Sequence, residues 1–363
     1  MAKPLYKKDR KSARSPRKKP TSRKAQNERP VPSKNQQNSS KFQSPPNQDL
    51  PSRIRHTGDR LPETVGMLLE TKPTKNYAVL DSGNGQKLER YGELLIARPE
   101  GQAIWQPSLP PAEWEKADAE FTGDTEEEGQ GRWRYPKKPL SETWPLQFDG
   151  IDYWGRFTSF RHTGVFPEQA AHWESIQSAI QNATHQRPVR MLNLFGYTGL
   201  ASLVGARAGA EVTHVDASKK AIGWAKENQE RAGMSNLPIR WICDDAVKFC
   251  AREERRGNTY DVILLDPPAY GRGPKGEVWQ LFEHLPHMLD LVRALQSDRP
   301  LVAILTAYAI RASHIAIHEI MQEVFCGMDG RIESGELLLR QENGSRMLST
   351  SMFSRFVSGE CVL

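Results

Sequence analysis

Between residues 190 and 270 the chain repeats one local plan four times: a short apolar run that stops at a polar or glycine-rich corner. Arg190-Met-Leu-Asn-Leu-Phe195 runs into Gly196-Tyr-Thr-Gly199, and Glu211-Val-Thr-His-Val215 stops at Asp216. Ile239-Arg-Trp-Ile242 precedes Asp244-Asp245, and Tyr260-Asp-Val-Ile-Leu-Leu265 stops at Asp266-Pro-Pro268. Runs this short and apolar suit strands buried on both faces of a parallel sheet, whose ligands bind just outside the carboxyl ends. The corners therefore predict one ligand cleft.

What lies between the runs supports a parallel sheet. Residues 167–180 show helical apolar spacing after a proline start, and Ser218 is placed to cap a helix through Ala232. Strands alternating with helices imply helices on both faces. Near the end, Gly335-Glu-Leu-Leu-Leu339 and Ser351-Met-Phe-Ser-Arg-Phe-Val357 flank Asn343-Gly344, which predicts a closing antiparallel hairpin. Upstream, residues 61–160 read as a small β-rich domain. Tyr77-Ala-Val-Leu80 and Leu88 to Ile96 are strands about an Asn84-Gly85 turn, and Trp133-Arg-Tyr135 and Ile151 to Phe157 are further strands whose aromatics pack as core. The acids around 126–129 read as a solvated loop.

Charge separates off the beginning of the chain. The protein carries +6 overall, yet roughly sixteen Lys or Arg against three acids lie before residue 56, so the remainder is acidic. Residues 1–60, with Lys18 and Lys19 in the densest basic cluster, hold too few large apolar side chains to fold alone and read as a disordered basic arm. Such an arm is drawn to a polyanion, RNA or a ribosomal particle, although a solubilising tail has the same composition. No stretch has the length of a membrane span or the apolar run of a signal peptide, which points to a soluble, cytoplasmic protein without membrane attachment. Cys243, Cys250, Cys326 and Cys361 form no CxxC pair, as expected of thiols in a reducing compartment. His284-Leu-Pro-His287 and His314 to His318 have ligand-like spacing but lack the intervening Glu of a zincin, so no metal is expected.

Each corner has a chemical reading. Missing side chains in Gly196-Tyr197-Thr198-Gly199 would let a backbone approach a ligand, after Asn193 and Phe195 on the strand. Asp216, followed by Ala217 and Ser218, can accept from both hydroxyls of a ribose; its bland alternative is a carboxylate at a helix start. Asp245, beside Ala246, is the preferred acceptor for an adenine amino group, with Asp244 sharing that task or capping the helix. Asp266-Pro267-Pro268-Ala-Tyr270 combines an anionic acceptor, rigidly held carbonyls and an aromatic face, which suits holding a planar base. Gly271 to Gly276 reads as a mobile basic loop, with Arg272 and Lys275 available to phosphates.

These motifs, with Arg161-His-Thr-Gly-Val-Phe-Pro-Glu-Gln169 upstream, resemble the class I S-adenosylmethionine-dependent methyltransferases. Within that class the chain looks like the bacterial large-subunit rRNA methyltransferases that modify cytosine C5 or guanine N7. The resemblance covers about residues 76–357. It implies a Rossmann-like methyltransferase domain over 161–363, S-adenosylmethionine held by the first corners with Phe166 and Gln169 over the donor, and a target base at Asp266 to Tyr270. It also implies an RNA partner, rRNA or a ribosomal assembly particle, and leaves the oligomeric state open. Relatives that methylate cytosine C5 have a cysteine where this chain runs Thr306-Ala-Tyr-Ala-Ile310, and C5 needs a thiolate adduct at C6 first. A nitrogen acceptor needs no covalent step, so the expectation is direct N-methylation of an unpaired or flipped base. Methylation of a small molecule or protein, a non-catalytic RNA-binding factor and a nicotinamide dehydrogenase are the competing readings.

Overall fold

The computed structural model describes residues 52–123, 131–308 and 312–363; the arm through Pro51, the acid-rich stretch 124–130 and residues 309–311 lie outside the described residues. All described elements belong to one compact unit.

In chain order, β1 (Glu63–Thr71) is followed by β2 (Tyr77–Gly83), β3 (Gln86–Tyr91) and β4 (Leu94–Pro99), then the short α1 (Pro111–Trp114), β5 (Ala119–Gly123) and β6 (Gly131–Arg134). These last five strands form one sheet in sequence order, and β7 (Thr143–Phe148) pairs antiparallel with β8 (Ile151–Arg156). Asn84 and Gly85 both adopt left-handed φ, as the two-residue turn requires. The expected single strand from Leu88 to Ile96 is two strands, because Gly92, also left-handed, turns the chain between β3 and β4.

The remainder alternates as expected: α2 (Ala170–Gln181), β9 (Arg190–Leu194), α3 (Leu200–Arg207), β10 (Glu211–Asp216), α4 (Lys219–Arg231), β11 (Ile239–Cys243), α5 (Ala246–Arg255) and β12 (Val262–Leu265). The short hairpin β13 (Tyr270–Arg272) and β14 (Val278–Gln280) leads into α6 (Leu281–Ala294), β15 (Val302–Tyr308), α7 (His314–Phe325), β16 (Gly330–Arg340) and β17 (Met347–Ser358). The large sheet has eight strands in the order β1-β16-β17-β15-β12-β9-β10-β11. Its β9, β10, β11, β12 and β15 pair in parallel, while β17 runs antiparallel to both neighbours, giving the expected closing hairpin. One finding differs from the sequence expectation: residues 63–71, assigned to the small β-rich region, pair with β16 as the edge strand of the large sheet. The segment before them is tied to the same body, since Leu61 N donates to the Gln322 side chain, and Gln322 donates back to Leu61 O.

Strand alternation builds two cores. Met191, Val262, Leu264, Val302 and Ile304 join α2, α3 and the aromatics of the small sheets, whereas Leu192, Leu194, Ile263, Leu265, Ala303 and Leu305 face α5, α6 and α7. Trp144, Tyr153 and Phe157 are buried in the first core, so the aromatic strands serve packing as expected. Beside them, Arg98 makes two bonds to the fully buried Glu89, at 2.6 and 2.8 Å, and a third to Tyr91 Oη. Burial alone would raise the Glu89 carboxyl, but Arg98 and Lys87 overturn that and hold it at about 2. No helix among the described residues is long and apolar enough to cross a membrane.

Candidate active site

The chain leaves β9 for β10 and β11 on one side and returns to β12 on the other, so the carboxyl ends of β9 and β12 flank a topological switch point. A cavity of about 840 Å³ opens there, within the roughly 300–1,000 Å³ typical of small-molecule sites. Phe195, Tyr197, Asp216, Ala217, Ser218, Asp244, Asp245, Ala246, Asp266, Pro267 and Pro268 all line it, with Phe166 from the upstream segment. A smaller cavity of about 60 Å³ shares Phe166, Phe195, Tyr197 and Asp266 and adds Gln169, Asn193, Gly196 and Thr198. Separate strand ends thus converge as the sequence reading expected. Gly199 lies just behind this lining, at the start of α3.

The loop after β9 is unusual in its backbone. Phe195 and Tyr197, neither a glycine, adopt φ of 58° and 51°, and Gly199 adopts 81°. Left-handed non-glycine residues cost energy, which the surrounding contacts must offset. Tyr197 N donates to Asp216 Oδ2 at 2.9 Å, Gly196 N to Val215 O at 3.1 Å, and Thr198 Oγ1 to Gly164 O at 2.7 Å. Gly196 was expected to make room for a ligand. The room it makes is for protein: a Cβ there would stand 2.4 Å from His214 Cε1 and 2.9 Å from Asn193 Nδ2. Asn193 is itself turned inward, donating to Ser202 Oγ at 2.9 Å, and Ser202 stands 3.0 Å from His214 Nδ1. Burial holds that imidazole at about 3, so it is neutral.

Asp216 accepts from two backbone amides, Tyr197 N and, at 2.7 Å, Ser218 N. Burial pushes its carboxyl up to about 6, with those amides opposing the rise. Each carboxylate oxygen accepts more than one bond, so Asp216 can still receive the vicinal hydroxyls of a ribose at the cavity wall. Ser218 caps α4 as expected, accepting from Ala221 N at 3.2 Å. At the next corner the assignments exchange: Asp245 is the cap of α5, accepting from Lys248 N at 2.9 Å, while Asp244 pairs with Arg252 and accepts from Asp245 N. The cap is the residue just before the first helical turn, and that is Asp245.

On the other side, Gln169 Nε2 donates to Asp266 Oδ2 at 3.2 Å and to Tyr308 Oη at 2.9 Å. The Pro268 carbonyl, expected to point outward, instead accepts from Trp279 Nε1 at 2.7 Å. That bond folds residues 270–280 back on themselves, so the expected mobile loop is the turn of a β13–β14 hairpin. Within it Gly273 N donates to Glu277 O, and Lys275 N to the Glu277 side chain. Arg272 lines the cavity and Lys275 does not; Tyr270 remains 42% exposed. Lys18 and Lys19 lie outside the described residues.

Sequence reasoning missed Lys87, Arg98, Trp279 and Tyr308, which complete the wall. Arg98 left a trace, a charge at the end of the apolar run Leu94-Leu-Ile-Ala97, which signals a buried pair. Among the described residues no group of three or more His, Cys, Asp or Glu can hold a metal ion. His318 instead stands 2.8 Å from Ser334 Oγ and 3.0 Å from Glu63 Oε2.

A carboxylate at a second strand end, further carboxylates at a third and apolar slabs from Phe166, Phe195 and Val215 fit an adenosine-bearing ligand. Similar proteins agree. The family model described as conserved hypothetical protein 95 matches residues 162–287. Ribosomal RNA large subunit methyltransferase K of Neisseria meningitidis is 26% identical over 203 residues, 53% of this chain and 54% of that protein. Ribosomal RNA large subunit methyltransferase K/L of Magnetococcus marinus is 33% identical over 123 residues, 33% of this chain and 16% of that protein. The matches thus span less than two thirds of either relative's length. The solved S-adenosylmethionine-dependent methyltransferase of Agrobacterium tumefaciens is 56% identical, covering 84% of this chain and 97% of that one with a TM-score of 0.81. With that identity over nearly the whole of a solved enzyme, the chain belongs to the S-adenosylmethionine-dependent methyltransferases.

Proposed function

We propose that the protein methylates a base nitrogen of rRNA, such as guanine N7, by direct in-line transfer without a cysteine nucleophile. The observation that carries this reading is the placement of Asp266, Pro267 and Pro268 on the same cavity as the Asp216 carboxylate, with Thr306-Ala-Tyr308 and no cysteine at the end of the neighbouring strand β15. S-adenosylmethionine supplies an electrophilic methyl on a sulfonium centre. In this reading Asp216 holds the ribose, and Asp244 and Asp245, with Ala217, Ser218 and Ala246 beside them, bound the adenine. Phe195 to Gly199 and Phe166 enclose the rest of the donor.

In this reading Asp266 and the Pro267 carbonyl orient the acceptor base, and Tyr270, which is exposed and not part of the cavity lining, offers a stacking face to a base outside it. A base nitrogen already carries the attacking lone pair, so alignment and exclusion of water are the contributions asked of the site. Cytosine C5 would need a thiolate, and neither cysteine of that region serves. Cys243 Sγ donates toward Ala217 O at 3.6 Å, and Cys250 is buried in α5 with its thiol pushed well up by burial. The names of the relatives support rRNA as substrate, and the basic arm, with Lys18 and Lys19, supports a polyanionic partner. In this reading Arg272, which lines the cavity, meets a flanking phosphate. The reading makes this a cytoplasmic enzyme acting on RNA or on an assembling ribosomal particle.

The test is transfer of labelled methyl groups from S-adenosylmethionine to naked rRNA and to ribosomal particles, with Asp266→Ala alongside and donor affinity measured for both proteins. RNA label that disappears in a variant still binding donor supports the reading. Label that persists in Asp266→Ala, or that enters protein or a small molecule instead of RNA, overturns it.

A further inference from the structure

The structure assigns Gln169 as a positioning residue for the acceptor site, with Tyr308 as its second anchor; this inference rests on the methyltransferase reading of the Asp266 corner. The family resemblance implies a place for Gln169 over the donor. Its amide nitrogen has two protons, and its two bonds run to side chains from different strand ends, Asp266 after β12 and Tyr308 on β15. The partners are 97 and 139 residues away, so this contact ties the segment before α2 to the ends of two paired strands, β12 and β15. An amide donor held by two acceptors is fixed in rotation, and it fixes each acceptor in turn.

Burial makes the clamp specific. Gln169 and Tyr308 are each 9% exposed, and the Tyr308 ring lies against Phe166, with centroids 5.2 Å apart. Phe166 also meets Tyr197 of the loop after β9, at 5.6 Å. The short 3₁₀ turn Pro167–Gln169 that carries the amide is anchored at Glu168, whose carbonyl accepts from Thr71 Oγ1 of β1. Just before it, Gly164 O accepts from Thr198 Oγ1 of the β9 loop. One short segment is thus clasped to the donor loop at Gly164 and to the acceptor carboxylate at Gln169. Its chemical consequence lies at Asp266: the bond from Gln169 Nε2 sets the angle of the carboxylate about its terminal torsion, and so the direction in which that corner meets the amine edge of a base.

The test combines Gln169→Ala, Gln169→Glu and Tyr308→Phe with three readouts: donor affinity by calorimetry, kcat on rRNA across pH, and crystal structures of the wild type and Gln169→Ala. The expected result for Gln169→Ala is a loss of kcat of about 30-fold or more, the size of a hundredfold effect of misplacement at the lower end, with donor Kd within about threefold. Gln169→Glu sets a second carboxyl against Asp266, and its acid limb in kcat moves upward by about one pH unit or more. Tyr308→Phe, which keeps the ring, loses about 3- to 10-fold in kcat. In the crystal of Gln169→Ala, the Asp266 side chain leaves its wild-type rotamer.

A donor Kd that weakens as much as kcat falls would make Gln169 a donor ligand and overturn the inference. So would an Asp266 side chain unmoved in the Gln169→Ala crystal, a readout that needs no RNA substrate. Wild-type protein that methylates no RNA would instead sink the proposed function, and the crystal and calorimetric arms would still decide the clamp.

Discussion

The two glycines of the loop after β9 do different physical work, and substituting each by alanine separates packing from backbone strain. At Gly196 an added Cβ would stand 2.4 and 2.6 Å from His214 Cε1 and Nδ1, on a fully buried ring held by Ser202. Overpacking of this kind costs about 1–3 kcal/mol, and displacing the imidazole from its partner adds about 1 kcal/mol. At Gly199 the Cβ would stand 2.9 Å from Ala225 Cβ and from the Trp241 ring, so a similar packing cost applies. There φ is also +81°, where a residue with a Cβ pays a further ~1–2 kcal/mol. Gly199→Ala should therefore lose about 2–5 kcal/mol. Gly223, on the exposed face of α4 with nothing within 4 Å of a built Cβ, is the control, and Gly223→Ala should gain about 0.5–1 kcal/mol. Urea denaturation gives the three stabilities, and calorimetry gives donor affinity, expected to fall more than tenfold in the two loop variants and to stay unchanged in the control. A Gly196→Ala protein of wild-type stability with weakened donor binding would refute the packing argument and restore the idea that this glycine faces the ligand.

Acid should destabilise the protein early. Burial holds His172 and His214 at about 3 against 6.5 when unfolded, so their contribution is complete above pH 6.5 and lost below it, approaching about 1.4 kcal/mol per pH unit each. Asp216, raised to about 6, works the other way and gives back the equivalent of one histidine between about pH 6 and 3.8. Replacing His172 by Phe should flatten the stability profile, while donor affinity should weaken as pH falls through 6 if the Asp216 carboxylate holds the ribose. Arg98→Ala strands the buried Glu89 charge and should cost about 3–5 kcal/mol in urea denaturation, more than replacing both partners by apolar residues. Trp279→Phe removes the bond to Pro268 O that closes the β13–β14 hairpin; it should lower kcat about tenfold by misplacing the acceptor corner, with donor Kd unchanged in calorimetry.

What the sequence made legible is what repeats along it. The short continuous apolar run Val262 to Leu265, buried at every position, and helical spacing in 167–180 specify strands, helices and hence the doubly wound sheet, and strand ends then locate the cleft. Asn84-Gly85 and Ser218 were readable because one residue's own φ or side-chain oxygen decides the structure there. Pairings between distant segments were not legible. Nothing in Glu63 to Thr71 announces that its partner is β16, more than 260 residues later, and nothing in Gln169 announces Asp266 and Tyr308. The exchange at Asp244 and Asp245 shows the same limit at shorter range: two adjacent acids look alike until the helix start fixes which one reaches Lys248 N and which meets Arg252.

Transfer to a nitrogen without a covalent adduct leaves its mark on the product. Digesting RNA labelled by the wild-type protein and identifying the methylated nucleoside by mass tests it in one step. The expected product carries its methyl on a ring or exocyclic nitrogen, 7-methylguanosine leading. A label recovered as 5-methylcytidine would contradict transfer to nitrogen, because that product demands a thiolate nucleophile and β15 carries no cysteine.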